Sequence, residues 1–546
     1  MSLDTLIELK QGKVQGFLHE ETNTWAWKGV PYAEKAVGEL RFKAPVAVKK
    51  HEGILDCTQD AVWNIQCTPR KTIIGEEGVL TLDIYRPATD EKMLPVLVYI
   101  HGGNNQTHGS STWKGHKFCQ KTNTMLVSIS YRLGPFGFNN LPALQKDAEP
   151  VEASGNFALL DTLQALKWMK ENLEAFGGDP NNLTVSGISS GGRDSLAMLT
   201  SPLFKDMFQK VISFSGGLTI TKPEKGQKRL AAAYAHLVVE DGIKDSIEEA
   251  KAWLLSDAPE VKKYLLNIDA KRLVPLMSAA QIRMSVYPHL YSDGVVLPKE
   301  GFACTNYNNV PVLLITAEGE FSLFCSRDKY FHDNLDKFEE QGEFYREFIF
   351  AKKYGSLMYQ DFNGQGAAAK LYPNYKGDIF VNVCRFGHDE NSVSKYYADR
   401  NDAFHGIIME FVTGEQMSAF PPEIIVPVPG TFDTKGADDL KDKYMQSLAD
   451  FMRTGKPSLP GSQEEWPAWT PENRAESVFD ADREKAILSV RRDTFSFEKL
   501  FADIDADTSI SEASKQKIIK EVFNGRWFSA PFDEHYGNED CWEKLY

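Results

Sequence analysis

Apolar residues follow two rhythms along this chain. LPVLVYI (94–100), MLVSI (125–129) and PVLLITA (311–317) are apolar at nearly every position and read as strands buried on both faces. Residues 5–30 alternate instead, which predicts short strands with a turn at Glu20 to Asn23. Between the buried runs, Leu159, Leu163, Leu166, Trp168 and Leu173 recur at helical spacing, and Phe176-Gly177-Gly178-Asp179 supplies a glycine-rich stop. Residues 223–290 read as amphipathic helices, KDSIEEAKAWLL among them, and the aromatic-rich stretch 330–400 also reads as helical. Strand, helix, strand is the βαβ rhythm of an α/β fold, here a large, mostly parallel central sheet with helices on both faces. No repeat, low-complexity tract or Pro/Ser linker divides the chain, so residues 1–546 are expected to form one domain. The stretches 223–290 and 330–400 are expected as insertions over the sheet's carboxyl edge.

The sharpest change of rhythm falls in LTVSGISSGGRDSLAML, Leu183 to Leu199. An apolar strand-like run ends in Gly187-Ile188-Ser189-Ser190-Gly191 and a helix-compatible run follows, the form of a nucleophile elbow. Small residues two before and two after the serine let a strand reverse into a helix. That turn lifts the Ser189 hydroxyl clear of the sheet and aims the following N–H groups at whatever it attacks. After the strand at 94–100, His101-Gly102-Gly103-Asn104 stands where a loop donating further N–H groups is expected. Asn104 keeps its backbone N–H and tolerates a positive φ better than other non-glycine residues.

Charge and cysteine usage narrow the classes. A net charge of −15 with no segregated basic patch argues against a nucleic-acid partner. No run approaches the roughly 18 apolar residues of a membrane span. The opening MSLDTLIELKQGKVQGF lacks the charged head, apolar core and cleavage site of a secretory signal, so no membrane association and a cytoplasmic location are expected. The seven cysteines (57, 67, 119, 304, 325, 384 and 541) show no C-x-x-C pair and are expected as free buried thiols.

Several motifs together resemble the type-B carboxylesterase/cholinesterase-like family of α/β-hydrolases. GVPYAEKAVGELRF (29–42) resembles its opening, EEGVLTLDIYRP (76–87) its next motif, and GNFALLDTLQALKWMKENL (155–173) the block before the elbow. The resemblance is dense from about 10 to 220, returns near 288–325 and 398–415, and thins toward the C-terminus. It implies an α/β-hydrolase fold and two ion pairs, Arg41 with Glu77 and Arg132 with Asp179. Extracellular members carry a cysteine where Val79 stands, paired with one that Cys67 resembles. Here that partner is missing and the loop is short, which argues against a cholinesterase-like cation site.

A serine hydroxyl is a poor nucleophile near neutral pH and requires a histidine base oriented by a carboxylate. Downstream of Ser189 stand His236, His289, His332, His388, His405 and His535. AFHGIIMEFVTG (403–414) resembles the family's histidine motif, which points to His405. AEGEFSLF (317–324) resembles its acid motif and points to Glu320, with Glu318 as the rival; Asp293 in the YSDG turn reads as structural. The assignment is Ser189 as nucleophile, His405 as base and acid, and Glu320 as the orienting carboxylate. Backbone N–H groups of Gly103, Asn104 and Ser190 form the oxyanion hole, and Ser215 supports the acid. Loss of one such donor typically costs about 10² to 10³ in rate.

Glutamates that relatives carry before the nucleophile and three residues after the histidine are Ile188 and Ile408 here, implying a drier floor suited to neutral rather than cationic esters. Arg193 is also unusual, and its role stays open between pairing with Asp194 or another acid and contacting an acidic substrate group. The expected function is a serine carboxylesterase acting on small neutral esters without metal or cofactor, as monomer or homodimer. A non-catalytic binding relative, or an amidase, lactonase or feruloyl-type esterase on the same triad, are the alternatives.

Overall fold

In LPVLVYI, Leu94, Val96, Val98 and Ile100 join one buried cluster while Leu97 and Tyr99 join a second. Successive side chains of a strand point to opposite faces, so a run that is apolar throughout requires a core on each side. The computed structural model describes residues 4–68, 71–276, 289–334, 338, 342–414 and 425–538. Eleven strands form its main sheet. We number them β1 (Phe17–His19), β2 (Thr24–Pro31), β3 (Thr81–Pro87), β4 (Leu94–Ile100), β5 (Met125–Ile129), β6 (Gly178–Ile188), β7 (Lys210–Phe214), β8 (Val312–Ala317), β9 (Ile379–Cys384), β10 (Glu476–Ala481) and β11 (Ala486–Arg491). Their spatial order is β11-β10-β9-β8-β7-β6-β4-β5-β3-β2-β1. The run from β10 through β5 is parallel, and both margins are antiparallel. This is the mostly parallel α/β sheet that the βαβ rhythm predicts.

Helix α1 (Phe157–Asn172) buries Leu159, Leu163 and Leu166 in the first cluster, and Gly177 ends that segment in the left-handed region at φ 82°. Helix α2 (Ser190–Met198) follows β6 directly. Residues 223–276 are helical as expected, with α3 (Pro223–Glu240), α4 (Ile247–Leu254) and α5 (Pro259–Asn267), while 277–288 lie outside the described residues. Helix α6 (Glu343–Asn363) packs in the second cluster, on the other face from α1.

The stretch 330–400 departs from its reading as a helical insertion. It also contains β9, a strand of the main sheet with parallel neighbours on both sides. IFVNVC is six residues buried throughout, too short to stand out by periodicity from the helices before it.

The two expected ion pairs fare differently. Arg41 holds Glu77 through two hydrogen bonds (2.7 and 2.5 Å) and also donates to the carbonyls of Leu266 and Ile268, at the carboxyl end of α5. Arg132, however, pairs not with Asp179 but with Asp161, through Nε (2.8 Å), Nη2 (2.7 Å) and its backbone N–H (3.0 Å). The reason is topological: Arg132 follows the carboxyl end of β5, whereas Asp179 opens β6, at the opposite edge of the parallel sheet. Asp161 lies in the second turn of α1, on the same edge as Arg132.

Six cysteines (57, 67, 119, 304, 325 and 384) are buried and unpaired, and Cys541 lies outside the described residues. Cys67 sits in a two-stranded ribbon, Gln66–Cys67 with Ile73–Ile74, a compact substitute for a stapled loop. Among the described residues no helix is long and apolar enough to cross a membrane.

The Arg132–Asp161 pair is almost wholly buried, whereas Lys35–Glu76 is more than half exposed. Asp161→Ala strands a buried guanidinium and is expected to cost about 3–5 kcal/mol. Lys35→Ala is expected to cost less than about 1 kcal/mol. Urea unfolding of the two variants checks the contrast, and equal destabilisation would contradict it.

Candidate active site

Register places the site. Gly187 at the end of β6 pairs with Ile100 on β4, and Ile188 pairs with Phe214 on β7, which in turn pairs with Ile315 on β8. Parallel strands end at one edge, so the segments carrying Gly103, Ser189, Ser215 and Glu320 all leave the sheet there.

Ser189 sits between β6 and α2 with φ 55° and ψ −117°, a conformation that non-glycine residues rarely adopt. Its backbone N–H donates to Phe214 (2.8 Å) and its carbonyl accepts from Arg193 (3.0 Å). The flanking glycines are required sterically. A Cβ on Gly187 would lie 2.3 Å from the Gly191 carbonyl carbon, and one on Gly191 would lie 2.0 Å from the Ile100 oxygen. Ser190 is the first residue of α2, so its N–H has no partner within the helix.

The glycine loop lies against this turn, for a Cβ on Gly102 would stand 3.3 Å from the Ser189 Cβ. Gly103 (φ 87°) and Asn104 (φ 56°) are both in the left-handed region, as expected for asparagine in that role. Behind them, Asn105 donates its backbone N–H to Ser190 Oγ (2.9 Å) and its side-chain amide to Asp194 (2.6 Å). Burial pushes the Asp194 carboxyl up to about 7 against the pull of Arg193. His101 stacks on Tyr131 at 4.5 Å, and burial pulls it down to about 3, so it stays neutral.

Glu320 is fully buried. Its Oε1 accepts from Ser215 Oγ, from Thr316 Oγ1 (2.9 Å) and from the Ala317 N–H (3.0 Å). Its Oε2 lies 2.5 Å from His405 Nδ1. A carboxylate only accepts, so Nδ1 carries the hydrogen, leaving Nε2 as the lone-pair nitrogen. That nitrogen is buried and meets no hydrogen-bond partner among the described residues. The Gly319 N–H donates to Ala403 O (2.9 Å), tying the acid segment to the histidine segment. Glu318, the rival acid, is occupied by Arg491 (3.0 and 3.2 Å). Asp293 accepts three backbone N–H groups of its own turn, at 2.8, 2.8 and 3.1 Å.

Glu320, His405 and Ser215 are therefore in direct contact. Ser189 reaches them through its backbone bond to Phe214, the neighbour of Ser215, and no hydrogen bond between Ser189 and His405 is present.

Sequence reasoning missed the aromatic surround. The Tyr359 ring, from α6, lies nearly parallel to the His405 ring at 5.5 Å, and Phe324 approaches that ring at 5.0 Å. Phe528 stacks on Tyr359 at 4.6 Å, and Trp527 lies over Arg193, its ring centroid 3.3 Å from the guanidinium carbon. Trp527 and Phe528 come from the C-terminal region, where family resemblance is thin. The one signal was Arg193, whose oddness beside the double glycine was visible without its partners.

Among the described residues no cluster of three or more His, Cys, Asp or Glu is arranged to hold a metal ion. The arrangement offers a hydroxyl on a strained turn, a carboxylate-bound imidazole with an open nitrogen, and adjacent backbone N–H groups.

Comparison with known proteins gives a consistent result. A profile of the carboxylesterase family matches residues 3–378. The para-nitrobenzyl esterase of Bacillus subtilis (strain 168) is 27% identical over 497 residues, covering 87% of this chain and 95% of that protein. Carboxylesterase 1E of Mus musculus is 34% identical over 343 residues, covering 58% of this chain and 59% of that protein. Among solved structures, a thermophilic PNB esterase superposes with a TM-score of 0.70 at 25% identity, covering 91% of this chain and all of that one. A Geobacillus stearothermophilus carboxylesterase at pH 6.2 superposes with a TM-score of 0.68 at 25% identity, over 91% and 99% of the two chains. With the family profile spanning more than half the chain and the sheet shared with esterases of known structure, this protein belongs to the carboxylesterase family of α/β-hydrolases, which are carboxylic ester hydrolases.

Proposed function

We propose that the protein is a serine carboxylesterase working through Ser189, His405 and Glu320 and an acyl-enzyme intermediate. The observation that carries this reading is the His405 Nδ1–Glu320 Oε2 contact of 2.5 Å, which leaves Nε2 buried and open. In this mechanism Nε2 takes the Ser189 proton as Oγ attacks the ester carbonyl, then returns it to the leaving alkoxide. Water repeats the cycle to release the acid. Glu320 stabilises the imidazolium, and Ser215 fixes Glu320 through the oxygen that does not face His405. The carbonyl oxygen, as it gains charge, is met by N–H groups of Gly103, Asn104 and Ser190.

The substrate class is small neutral esters. Ile188 and Ile408 stand where relatives carry carboxylates, and Ile408 is buried, so neither position offers a negative charge to a cation. The para-nitrobenzyl esterase from Bacillus supports a small, uncharged ester as the working substrate. A non-catalytic binding role is disfavoured by retention of the serine turn with both of its glycines. Free buried thiols fit a cytoplasmic setting.

Ser189→Ala is expected to lower kcat on p-nitrophenyl butyrate by about four to six orders of magnitude and to abolish stoichiometric labelling by a fluorophosphonate. Retained hydrolysis, or labelling at another residue, would overturn the reading. For the substrate class, kcat/KM on 3,3-dimethylbutyl acetate is expected to match that on its trimethylammonium isostere, acetylcholine. A strong preference for the cation would count against the neutral floor.

A further inference from the structure

Arg193 lies in the first turn of α2, four residues beyond Ser189, and is only 2% exposed. Its Nη2 donates to the Asn104 side-chain oxygen at 2.9 Å, and Trp527 covers the guanidinium. Nε and Nη1 are buried and have no hydrogen-bond partner among the described residues. No described carboxylate forms a direct ion pair with it: neighbouring Asp194 accepts from Asn105 and feels Arg193 only as a nearby charge. Burial draws Arg193 down to about 9, still above neutral pH, so the group remains a cation there.

A buried guanidinium whose neighbouring carboxyl, Asp194, is itself pushed toward its neutral form by burial is costly to the resting fold. A second unusual feature adjoins it: Asn104, a non-glycine residue held in the left-handed region at φ 56°. The two residues touch each other through that hydrogen bond. Asn104 carries one of the N–H groups proposed to meet the carbonyl oxygen, so the guanidinium is one hydrogen bond and one short side chain away from the developing negative charge. A cation in a dry, low-dielectric surround acts on a nearby charge far more strongly than the same cation in water.

We propose that Arg193 is a positioning residue for ester hydrolysis: it locks Asn104 in the left-handed conformation that aims its N–H at the substrate oxygen, and its charge, which no described carboxylate meets in a direct ion pair, stabilises the oxyanion of the tetrahedral intermediate. This rests on the reading of Ser189 as nucleophile. Of the choices left open by sequence it takes neither: among the described residues Arg193 makes no direct ion pair with an acid, and its burial disfavours contact with a substrate carboxylate. Two of its nitrogens, Nε and Nη1, are shut off from solvent, the third, Nη2, donates to Asn104, and Trp527 lies over the group.

The test compares Arg193→Met and Arg193→Lys using p-nitrophenyl butyrate and two inhibitors. One is an alkyl trifluoromethyl ketone, which adds the serine oxygen to its carbonyl to give a hemiketal alkoxide. The other is the methyl ketone of the same chain length, a ground-state mimic. Arg193→Met is expected to lower kcat by about 10- to 100-fold with little change in KM, somewhat below the loss of a direct oxyanion donor. Trifluoromethyl ketone affinity is expected to fall by the same factor as kcat/KM, with methyl ketone binding unmoved and Arg193→Lys recovering part of the loss. In an Asn104→Gly background the effect of Arg193→Met is expected to shrink, because the shared hydrogen bond is already gone.

Equal weakening of both ketones, a change confined to KM, or a loss restricted to esters bearing an acyl-chain carboxylate would each overturn the proposal. Should Arg193→Met not fold, Arg193→Gln keeps a donor toward Asn104 without the charge, and unchanged trifluoromethyl ketone affinity there would overturn the electrostatic role. An active Ser189→Ala variant would remove the underlying reading as well. An inactive Ser189→Ala beside a fully active Arg193→Met would remove this inference alone.

Discussion

The site depends on one steric constraint, the reversal of chain direction between β6 and α2. Ser189 holds a backbone conformation that costs on the order of 1–3 kcal/mol in a free chain. It persists because the turn is pinned from outside: its N–H is bonded to Phe214, and Gly191 lies so close to Ile100 that a methyl group there would overlap a carbonyl oxygen. The strain is held by the sheet and not by the turn itself. The first turn of α2 therefore starts directly behind the serine, with the Ser190 N–H unpaired within the helix.

The same edge logic gathers the other groups. Glu320 is anchored by residues of its own strand end and by Ser215 from the next strand, so its carboxylate has little freedom. The histidine segment is drawn to it by the Gly319–Ala403 bond, at a point where the two segments approach very closely. A Cβ on Gly319 would lie 2.4 Å from the Asp402 carboxyl carbon. The glycine that precedes Glu320 here is thus required by packing against the histidine loop. Tyr359 and Phe324 pack against the His405 ring and Phe528 stacks on Tyr359, so this assembly sits in an apolar surround, where a hydrogen bond is stronger than in water.

Much of this was legible in sequence because it is local. The serine turn, the glycine loop and the helix stop at Gly177 each lie within a few consecutive residues, where backbone sterics dictate residue type. Ser215 and Glu320 were found through motifs next to buried strands. What escaped is what depends on topology. The family resemblance implied Arg132 with Asp179, but a parallel sheet puts them at opposite edges and hands Arg132 to Asp161. Strand β9 was hidden because six buried residues carry no period distinct from a helix fragment. Trp527 and Phe528 reach the site from the far end of the chain, and no local pattern marks a residue for a contact formed only after the sheet has closed.

The most direct test of the account is a crystal structure of the protein after reaction with a small alkyl phosphonate. The account predicts density continuous from Ser189 Oγ to phosphorus. It also predicts the phosphoryl oxygen within about 2.7–3.1 Å of the backbone nitrogens of Gly103, Asn104 and Ser190, with His405 Nε2 facing the adduct. Phosphorus bonded to another side chain, or a phosphoryl oxygen turned away from those nitrogens, would contradict it.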